Sequence, residues 1–352
     1  MPRTTASRTD SSRALVAGAV AVGLLLAGCG AQARTGREEP AAPDAAAPTA
    51  SSAPTSAAPS TPPTTPVAPS SPSTPGPAVV AANEVGQVPV LMYHQVLRRP
   101  KGVYDITPRA FRAELERLAR EGYVPVTAAD YAAGRIDLPA GAHPVVLSFD
   151  DSTTTQLALD RAGRPVAGTA VAILLDVAAR HPGFTPTATF FVNRDPFAEP
   201  GGRRTLGWLR ENGFEVGNHA LDHVSLGSLR AERVRRQLAG GSALVRRATG
   251  TPPATLALPF GVRPDDRDLM MSGSWRGTAY AFDGAFLVGA GPAPSPHSRG
   301  FDPAGIPRIR SQGRRGPDAR YGSAAWLDRL AARPGDRYTS DGDPTTVARP
   351  SS

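Results

Sequence analysis

The chain has 352 residues and a formal net charge of +8, and Cys29 is its single cysteine. A lone cysteine excludes an internal disulfide and a cysteine-based zinc cluster. The basic excess suits a partner with acidic groups, such as a cell-wall polymer or an anionic lipid surface. Because no run of Lys and Arg is interleaved with aromatic residues, we expect no nucleic-acid partner. We find no clear signal for oligomerisation.

The first residues resemble a bacterial export signal. Three arginines precede an apolar run over residues 14–27, which is short for a membrane span and typical of a secretory signal. The run ends in Leu-Ala-Gly followed by Cys29, which resembles the lipobox of bacterial lipoproteins. We therefore predict a lipoprotein signal peptide over residues 1–29, with Cys29 lipidated and the protein anchored to the outer face of the cytoplasmic membrane. The alternative is an ordinary signal peptide that happens to contain a cysteine.

Composition divides the remaining chain into three parts. Residues 30–83 are dominated by Ala, Pro, Ser and Thr, contain no aromatic residue, and predict a disordered, semi-extended linker. Residues 84–335 have a globular composition and about the usual length of one barrel-type α/β domain. Residues 336–352 are again rich in Gly, Pro, Asp and Thr, and we expect a flexible tail there.

Short apolar runs in the globular part end at polar residues or at a Pro-Phe-Gly turn. The runs and the residues that follow them are 88–93 with His94, 144–149 with Asp150 and Asp151, 188–192 with Asn193, 214–217 with Asn218 and His219, and 255–258 with Pro259 and Phe260; a further run, 306–309, contains Arg308. Such runs suit strands that are buried on both faces of a parallel sheet. Helical patterns over 108–122, 170–180 and 226–249 lie between them, which predicts an α/β fold. A parallel barrel and an open doubly wound sheet both fit this alternation.

Two histidines and two aspartates carry the predicted chemistry. The spacing of His219 and His223 lets both imidazoles reach one ion, to which Asp151 can add a carboxylate oxygen. Two imidazoles and one carboxylate leave positions open for water and substrate, as catalytic metal sites do. The adjacent Asp150 can then accept a proton from the water. Taken singly, an Asp-Asp pair is more often a solvated turn, so the prediction depends on the combination.

These segments resemble the polysaccharide deacetylase family, also called the NodB-homology or carbohydrate esterase family 4 group. Residues 145–151 look like its first motif, 215–223 like its second and 258–261 like the end of its third. Residues 188–192 resemble the strand between the first two motifs. The opening strand, 89–94, is similar to that of the poly-N-acetylglucosamine deacetylase subclass.

The resemblance implies a distorted (β/α) barrel, with Asp151, His219 and His223 as metal ligands and Asp150 as the base. It also implies one divalent ion, usually zinc and sometimes cobalt or another metal. In the subclass with the similar opening strand, a histidine at the position of His94 serves as the general acid.

Three positions depart from the family pattern. Ser152 replaces the glycine of the first motif, Ala220 replaces the serine or threonine of the second, and Ala257 stands where many members have an arginine that orients the base. We take Arg308 as a candidate for this missing cation. The candidates for substrate contact are Asn193, Pro259 and Phe260.

The predicted activity is removal of N-acetyl groups from an extracellular or cell-wall polysaccharide, such as peptidoglycan. An esterase that acts on O-acetyl groups of a glycan fits the same site. The departures from the motifs also motivate a glycan-binding lipoprotein with weak catalysis. Residues 152–187 form a longer connection than is common in the family, and this segment is expected to influence substrate choice at the catalytic face.

Overall fold

The computed structural model describes residues 80–350. The predicted signal peptide with Cys29, and all but the last four residues of the predicted linker, lie outside this range. Among the helices that are described, none combines the length and the apolar character that a membrane span requires.

Short strands alternate with helices through most of the described chain. The strands, in chain order, are β1 (Gln87–Val88), β2 (Val90–Tyr93), β3 (Gln95–Val96), β4 (Asp105–Ile106), β5 (Tyr123–Val126), β6 (His143–Phe149), β7 (Thr189–Val192), β8 (Glu215–Asn218), β9 (Thr255–Ala257), β10 (Ser272–Trp275), β11 (Thr278–Ala281), β12 (Gly284–Phe286), β13 (Ala293–Pro294) and β14 (Ile309–Arg310). The helices are α1 (Pro108–Arg120), α2 (Ala128–Ala132), α3 (Ala170–Arg180), α4 (Arg203–Glu211), α5 (Ala231–Thr249), α6 (Asp268–Met271) and α7 (Ser323–Ala332).

Eight of these strands form one curled parallel sheet. Seven run in the order β12-β9-β8-β7-β6-β2-β14, and β5 pairs with the amino half of β6. Ile306, just before β14, makes a parallel bridge to Phe286 of β12, so the two ends of the strand path approach each other. The sheet is therefore the distorted (β/α) barrel that the family resemblance implies, and the open doubly wound alternative is excluded.

Alternation along β6 determines which side chains face the barrel interior. Val145, Leu147 and Phe149 belong to a core cluster that includes residues of α1 and α3, whereas Val146 belongs to a second cluster. Successive residues of a strand point to opposite faces. The next position on the face of Val146, beyond Ser148, is Asp150, which is 2% exposed. The strand pattern thus directs this carboxylate inward.

The first helix follows the sequence prediction closely. The side chain of Thr107 accepts a hydrogen bond from the N–H of Ala110, and proline occupies the first turn, where its missing N–H is harmless. Its apolar face, Phe111, Leu115 and Leu118, is fully buried. The third predicted helix is shorter than expected: α5 begins at Ala231, and Leu226–Ser228 forms a separate 3-10 turn.

The carboxyl-terminal segment differs from the flexible tail expected for residues 336–352. Thr339 bridges Asn83, and Tyr338 is 1% exposed. The buried carboxylate of Glu84 accepts hydrogen bonds from the Tyr338 hydroxyl (3.1 Å) and the Ala348 N–H (3.0 Å). The segment therefore closes over the start of the domain, mainly through backbone hydrogen bonds and one aromatic side chain.

Deleting residues 337–352 should lower the free energy of unfolding by about 3 kcal/mol or more, because the deletion removes the buried Tyr338 and leaves Glu84 without its donors. Chemical denaturation of the full chain and of the truncated chain measures the difference. Deleting only residues 349–352 is the matched control and should leave stability unchanged. Equal stability of all three proteins would contradict a structural role for this segment.

Candidate active site

The candidate catalytic residues lie together at one end of the barrel. His94 follows β2, Asp150 and Asp151 follow β6, and His219 and His223 follow β8. Because the strands are parallel, their carboxyl ends share one edge. The structure thus brings together residues that are up to 129 positions apart in the sequence.

Asp151, His219 and His223 form a three-residue cluster with the geometry of a metal site. Asp151 Oδ1 lies 3.1 Å from His223 Nε2 and 3.4 Å from His219 Nε2, and the three ligand atoms lie within 4.8 Å of one another. Asp151 Oδ1 is buried and makes no hydrogen bond. An unpartnered buried carboxylate oxygen is costly, and a cation at this position would satisfy it.

The protonation of His219 also suits a metal ligand. Its Nδ1 lies 2.9 Å from the carbonyl oxygen of Ala257. A carbonyl can only accept, so Nδ1 carries the proton and the lone pair of Nε2 is free on the side that faces Asp151. The chemistry of all three residues therefore fits a divalent ion.

The backbone of the site is held in an unfavourable conformation. Five non-glycine residues around it have positive φ angles: Asp151 (70°), Ser152 (46°), Ala220 (56°), His223 (47°) and Phe260 (59°). This left-handed region costs about 1 kcal/mol or more for residues that carry a Cβ. The angle at Ser152 explains why glycine is favoured at this position of the family's first motif.

A buried amide supports the loop that carries the two histidines. Asn218 Oδ1 accepts a hydrogen bond from the Ala220 N–H (2.8 Å), and its Nδ2 donates to Leu238 and Ser242 on α5. A Cβ on Gly241 would lie 2.5 Å from Asn218 Oδ1, so only glycine lets α5 approach this closely. The turn that places His219 and His223 is thus anchored on the helix behind it.

The carboxylate of Asp150 is clamped by Arg308. The Nη1 and Nη2 atoms of the arginine each lie 2.7 Å from one carboxylate oxygen, and the arginine side chain is fully buried. Its Nε donates to the carbonyl of Leu287 (2.9 Å). Burial alone raises the pKa of Asp150, but the positive charge and the hydrogen bonds of Arg308 outweigh it, so the carboxyl pKa lies below its usual value. The structure thus places the cation suggested by sequence directly against the candidate base.

His94 also lies close to the Asp150 carboxylate. Its Nε2 lies 3.8 Å from Asp150 Oδ2, while His219 Nε2 lies 4.0 Å from that oxygen. The His94 ring packs on Tyr104, with the ring centroids 4.8 Å apart. Burial lowers the pKa of His94, although the charges of the two aspartates oppose this shift.

Gln156 joins the site, and the sequence carried no signal for it. This fully buried residue belongs to the long 152–187 connection. Its side-chain amide nitrogen, Nε2, donates to the backbone carbonyls of both His94 and Asp150. One side chain therefore fixes the ends of β2 and β6 against each other, a role that only the spatial arrangement reveals.

The three candidates for substrate contact differ in accessibility. Phe260 is 63% exposed, and its ring centroid lies 4.8 Å from that of His223. Asn193 is half-buried, and its Oδ1 lies 3.4 Å from the Ser152 hydroxyl. Pro259 is buried, so its side chain supports the turn that presents Phe260 and offers no surface to a substrate.

Purified protein should contain about one equivalent of divalent metal, measured by elemental analysis after dialysis. His219→Ala and His223→Ala should each lose most of this metal, because two remaining ligands hold an ion weakly. His181→Ala, which removes a histidine outside the cluster, is the matched control and should retain it. Equal metal content in all four proteins would place the ion elsewhere.

Comparison with known proteins supports the assignment of the domain. Residues 138–271 match the family described as polysaccharide deacetylase. No curated protein matches the sequence.

Several solved structures are similar to the described barrel. Streptococcus pyogenes deacetylase PplD in complex with acetate has a TM-score of 0.47 and 19% identity, covering 64% of this chain and 92% of that one. IcaB from Ammonifex degensii has a TM-score of 0.48 and 23% identity, covering 68% of this chain and 97% of that one. BC0361, a polysaccharide deacetylase from Bacillus cereus, has a TM-score of 0.48 and 19% identity, covering 64% of each chain.

The family match spans β6 with the two aspartates that follow it and the loop that carries both histidines. The matched region, residues 138–271, is therefore assigned to the polysaccharide deacetylase family.

Proposed function

We propose that this protein removes N-acetyl groups from an extracellular or cell-wall polysaccharide with the help of one divalent metal ion. The observation that carries the proposal is the buried Asp150 carboxylate, which Arg308 keeps ionised beside the cluster of Asp151, His219 and His223. A base next to an open metal site is one arrangement that supports hydrolysis of an amide, because the base takes a proton from water that the metal would activate.

Zinc is the ion that we propose for the cluster, because two imidazoles and one carboxylate form a common catalytic zinc set; cobalt also suits these ligands. When bound, the ion would polarise the acetyl carbonyl and lower the pKa of a water molecule.

Asp150 accepts the proton of the attacking water in the proposed reaction. Its pKa lies below the usual value, so the carboxylate is ionised at neutral pH and ready to accept. Both oxygens bond to Arg308, which fixes the orientation of the carboxylate and leaves further lone pairs free on each oxygen. The water oxygen becomes part of the released acetate.

His94 delivers a proton to the leaving nitrogen. Its Nε2 lies 3.8 Å from Asp150 Oδ2, which is longer than a hydrogen bond, so in the proposed reaction one bridging water passes the proton from the Asp150 carboxyl group to the imidazole. The amide bond breaks, and the products are acetate and a free amine on the sugar. The backbone N–H of Ser152, at the same turn, is our candidate for a donor to the oxyanion.

Attachment to a membrane is a second part of the proposal. It is supported by the sequence of residues 1–29, whose apolar run ends in Leu-Ala-Gly before Cys29. Lipidation of this cysteine would hold the domain on the outer face of the cytoplasmic membrane, with residues 30–83 as the linker.

Asp150→Asn should reduce acetate release from acetylated chitooligosaccharides and peptidoglycan fragments by about 100-fold or more, because the amide cannot accept the proton. Asp137→Asn, a change on the exposed surface, is the matched control and should be silent. O-acetylated glycans assayed in parallel test the esterase alternative. Metal-loaded protein that releases acetate from none of these substrates would favour a glycan-binding role.

Gln156→Glu and Gln156→Met should each lower kcat by about tenfold with a smaller change in KM, because both replacements lose the two amide donors that fix His94 and Asp150. Metal content should stay at the wild-type level, since Gln156 contacts no proposed ligand side chain. A parallel loss of metal and of folded protein would assign Gln156 a purely structural role.

A further inference from the structure

A cleft beside the candidate active site has no part in the reaction described above. It lies between the loop that follows β3 and the loop that follows β14, and its volume is about 160 Å³. Its lining residues are Tyr104, Val288, Gly289, Ala290, Arg310, Asp318 and Tyr321. We call it the Tyr104–Tyr321 cleft.

Two lining residues of the cleft contact residues of the candidate active site. Tyr104 forms one wall, and its other contact is the ring of His94, 4.8 Å away between centroids. Gly289 packs so closely on Arg308 that an added Cβ would lie 2.8 Å from the arginine backbone nitrogen. The cleft therefore lies one residue away from His94 and from Arg308, both of which lie beside Asp150.

Two aromatic rings line the cleft from opposite loops. Tyr104 and Tyr321 are each 40% exposed, although large aromatic side chains usually bury more of their surface. Exposed tyrosines offer a flat apolar face and a polar hydroxyl, which together suit the C–H face and the hydroxyl groups of a pyranose ring.

Arg310 supplies a positive charge with unused donors. Its guanidinium lies over the Tyr104 ring, 5.5 Å from the centroid, and Nη2 donates to the carbonyl of Pro317 (3.1 Å) and to the side chain of Gln312. Nε is buried without a partner, and Nη1 donates no hydrogen bond within residues 80–350. The arginine is thus held in place through Nη2, while Nη1 remains free to donate to an acceptor in the cleft.

The loops around the cleft concentrate basic charge. Residues 97–104 and 310–321 contain seven basic side chains and one acidic side chain, Asp318. Of the seven, Arg314 is neutralised by an ion pair with Asp328. The remaining excess creates a positive potential at this side of the catalytic face, which attracts an anionic polymer.

We propose that the Tyr104–Tyr321 cleft binds a carboxylate-bearing sugar next to the sugar that loses its acetyl group. The carboxylate pairs with Arg310, the sugar ring stacks on the tyrosines, and Asp318 accepts hydrogen bonds from sugar hydroxyls. The inference rests on the proposed deacetylase function and narrows its substrate class to anionic acetylated glycans, in which the carboxylate belongs either to a lactyl ether or to a uronic acid.

Binding to the full-length protein tests the cleft without any need for turnover. Isothermal titration calorimetry would compare three ligands of equal length: an N-acetylglucosamine oligomer, an oligomer in which alternate sugars carry a lactyl carboxylate, and one with alternate uronic acids. We expect at least one carboxylated ligand to bind about tenfold more tightly than the neutral oligomer. Arg310→Gln should remove this advantage, so that the carboxylated and the neutral oligomers bind with equal affinity.

Two further variants distinguish the possible results. Arg233→Gln, on the exposed face of α5, is the matched control for lost charge and should bind all ligands as the wild type does. Tyr321→Ala changes an exposed side chain, so it will fold, and it should weaken binding of the carboxylated ligand. Equal affinity of the wild type for all three ligands, or the same loss in Arg233→Gln as in Arg310→Gln, would overturn the inference.

Acetate release separates this inference from the proposed function. If the neutral and carboxylated oligomers are deacetylated with equal kcat/KM, and Arg310→Gln changes neither, the deacetylase proposal stands and the cleft proposal is wrong. If no oligomer releases acetate but the carboxylated ligand binds through Arg310, the cleft does bind a carboxylate-bearing sugar and the deacetylase proposal is wrong.

Discussion

The buried ion pair between Asp150 and Arg308 is the constraint on which the rest of the site depends. Removing two charges from water costs several kcal/mol for each ion, and only close, well-directed hydrogen bonds offset this cost. Here two contacts of 2.7 Å join the charges, and the carbonyl of Leu287 satisfies a third arginine donor. Loss of either partner would leave an uncompensated charge inside the barrel.

This pair also determines the geometry of the neighbouring residues. Because Asp150 turns inward to meet Arg308, the chain must reverse at once for Asp151 to face the two histidines, and the positive φ angles at Asp151 and Ser152 produce that reversal. Gln156 then bonds to the carbonyl of Asp150 and holds the turn. A strained backbone thus persists because the surrounding hydrogen bonds determine its conformation.

The sequence predicts β2, β6, β7, β8 and β9 and the identities of the clustered residues, because apolar runs and the polar residues after them are local features; it does not predict β5 and β12 of the same sheet. The parallel sheet then explains why Asp151, His219 and His223 meet. The sequence offers Arg308 only as a candidate, since the chain contains many arginines and the fold shows that this one lies inside the barrel.

Features that depend on distant contacts were not visible in the sequence. Gln156 lies in a segment rich in turn residues, and its two acceptors are backbone carbonyls, which carry no side-chain signature. The carboxyl-terminal segment has the composition of a loose tail, yet its order comes from backbone hydrogen bonds to residues about 250 positions earlier and from a single buried tyrosine. Amino-acid composition reflects the types of side chain in a segment and does not reveal backbone hydrogen bonds to distant residues.

The carboxyl-terminal segment covers Glu84 at the end of the barrel where the preceding chain enters, and this affects how a force on that chain would act on the domain. Val80 lies against Gly141, near the amino end of β6, whereas the catalytic residues follow its carboxyl end. Seven residues of strand separate these ends by roughly 20 Å. A force applied through the chain before Val80 would therefore act at the end of the barrel that is opposite the catalytic residues. The carboxyl-terminal segment, which pairs with residues 83–87 at this end, would resist that force, and the catalytic end would remain accessible to a polymer.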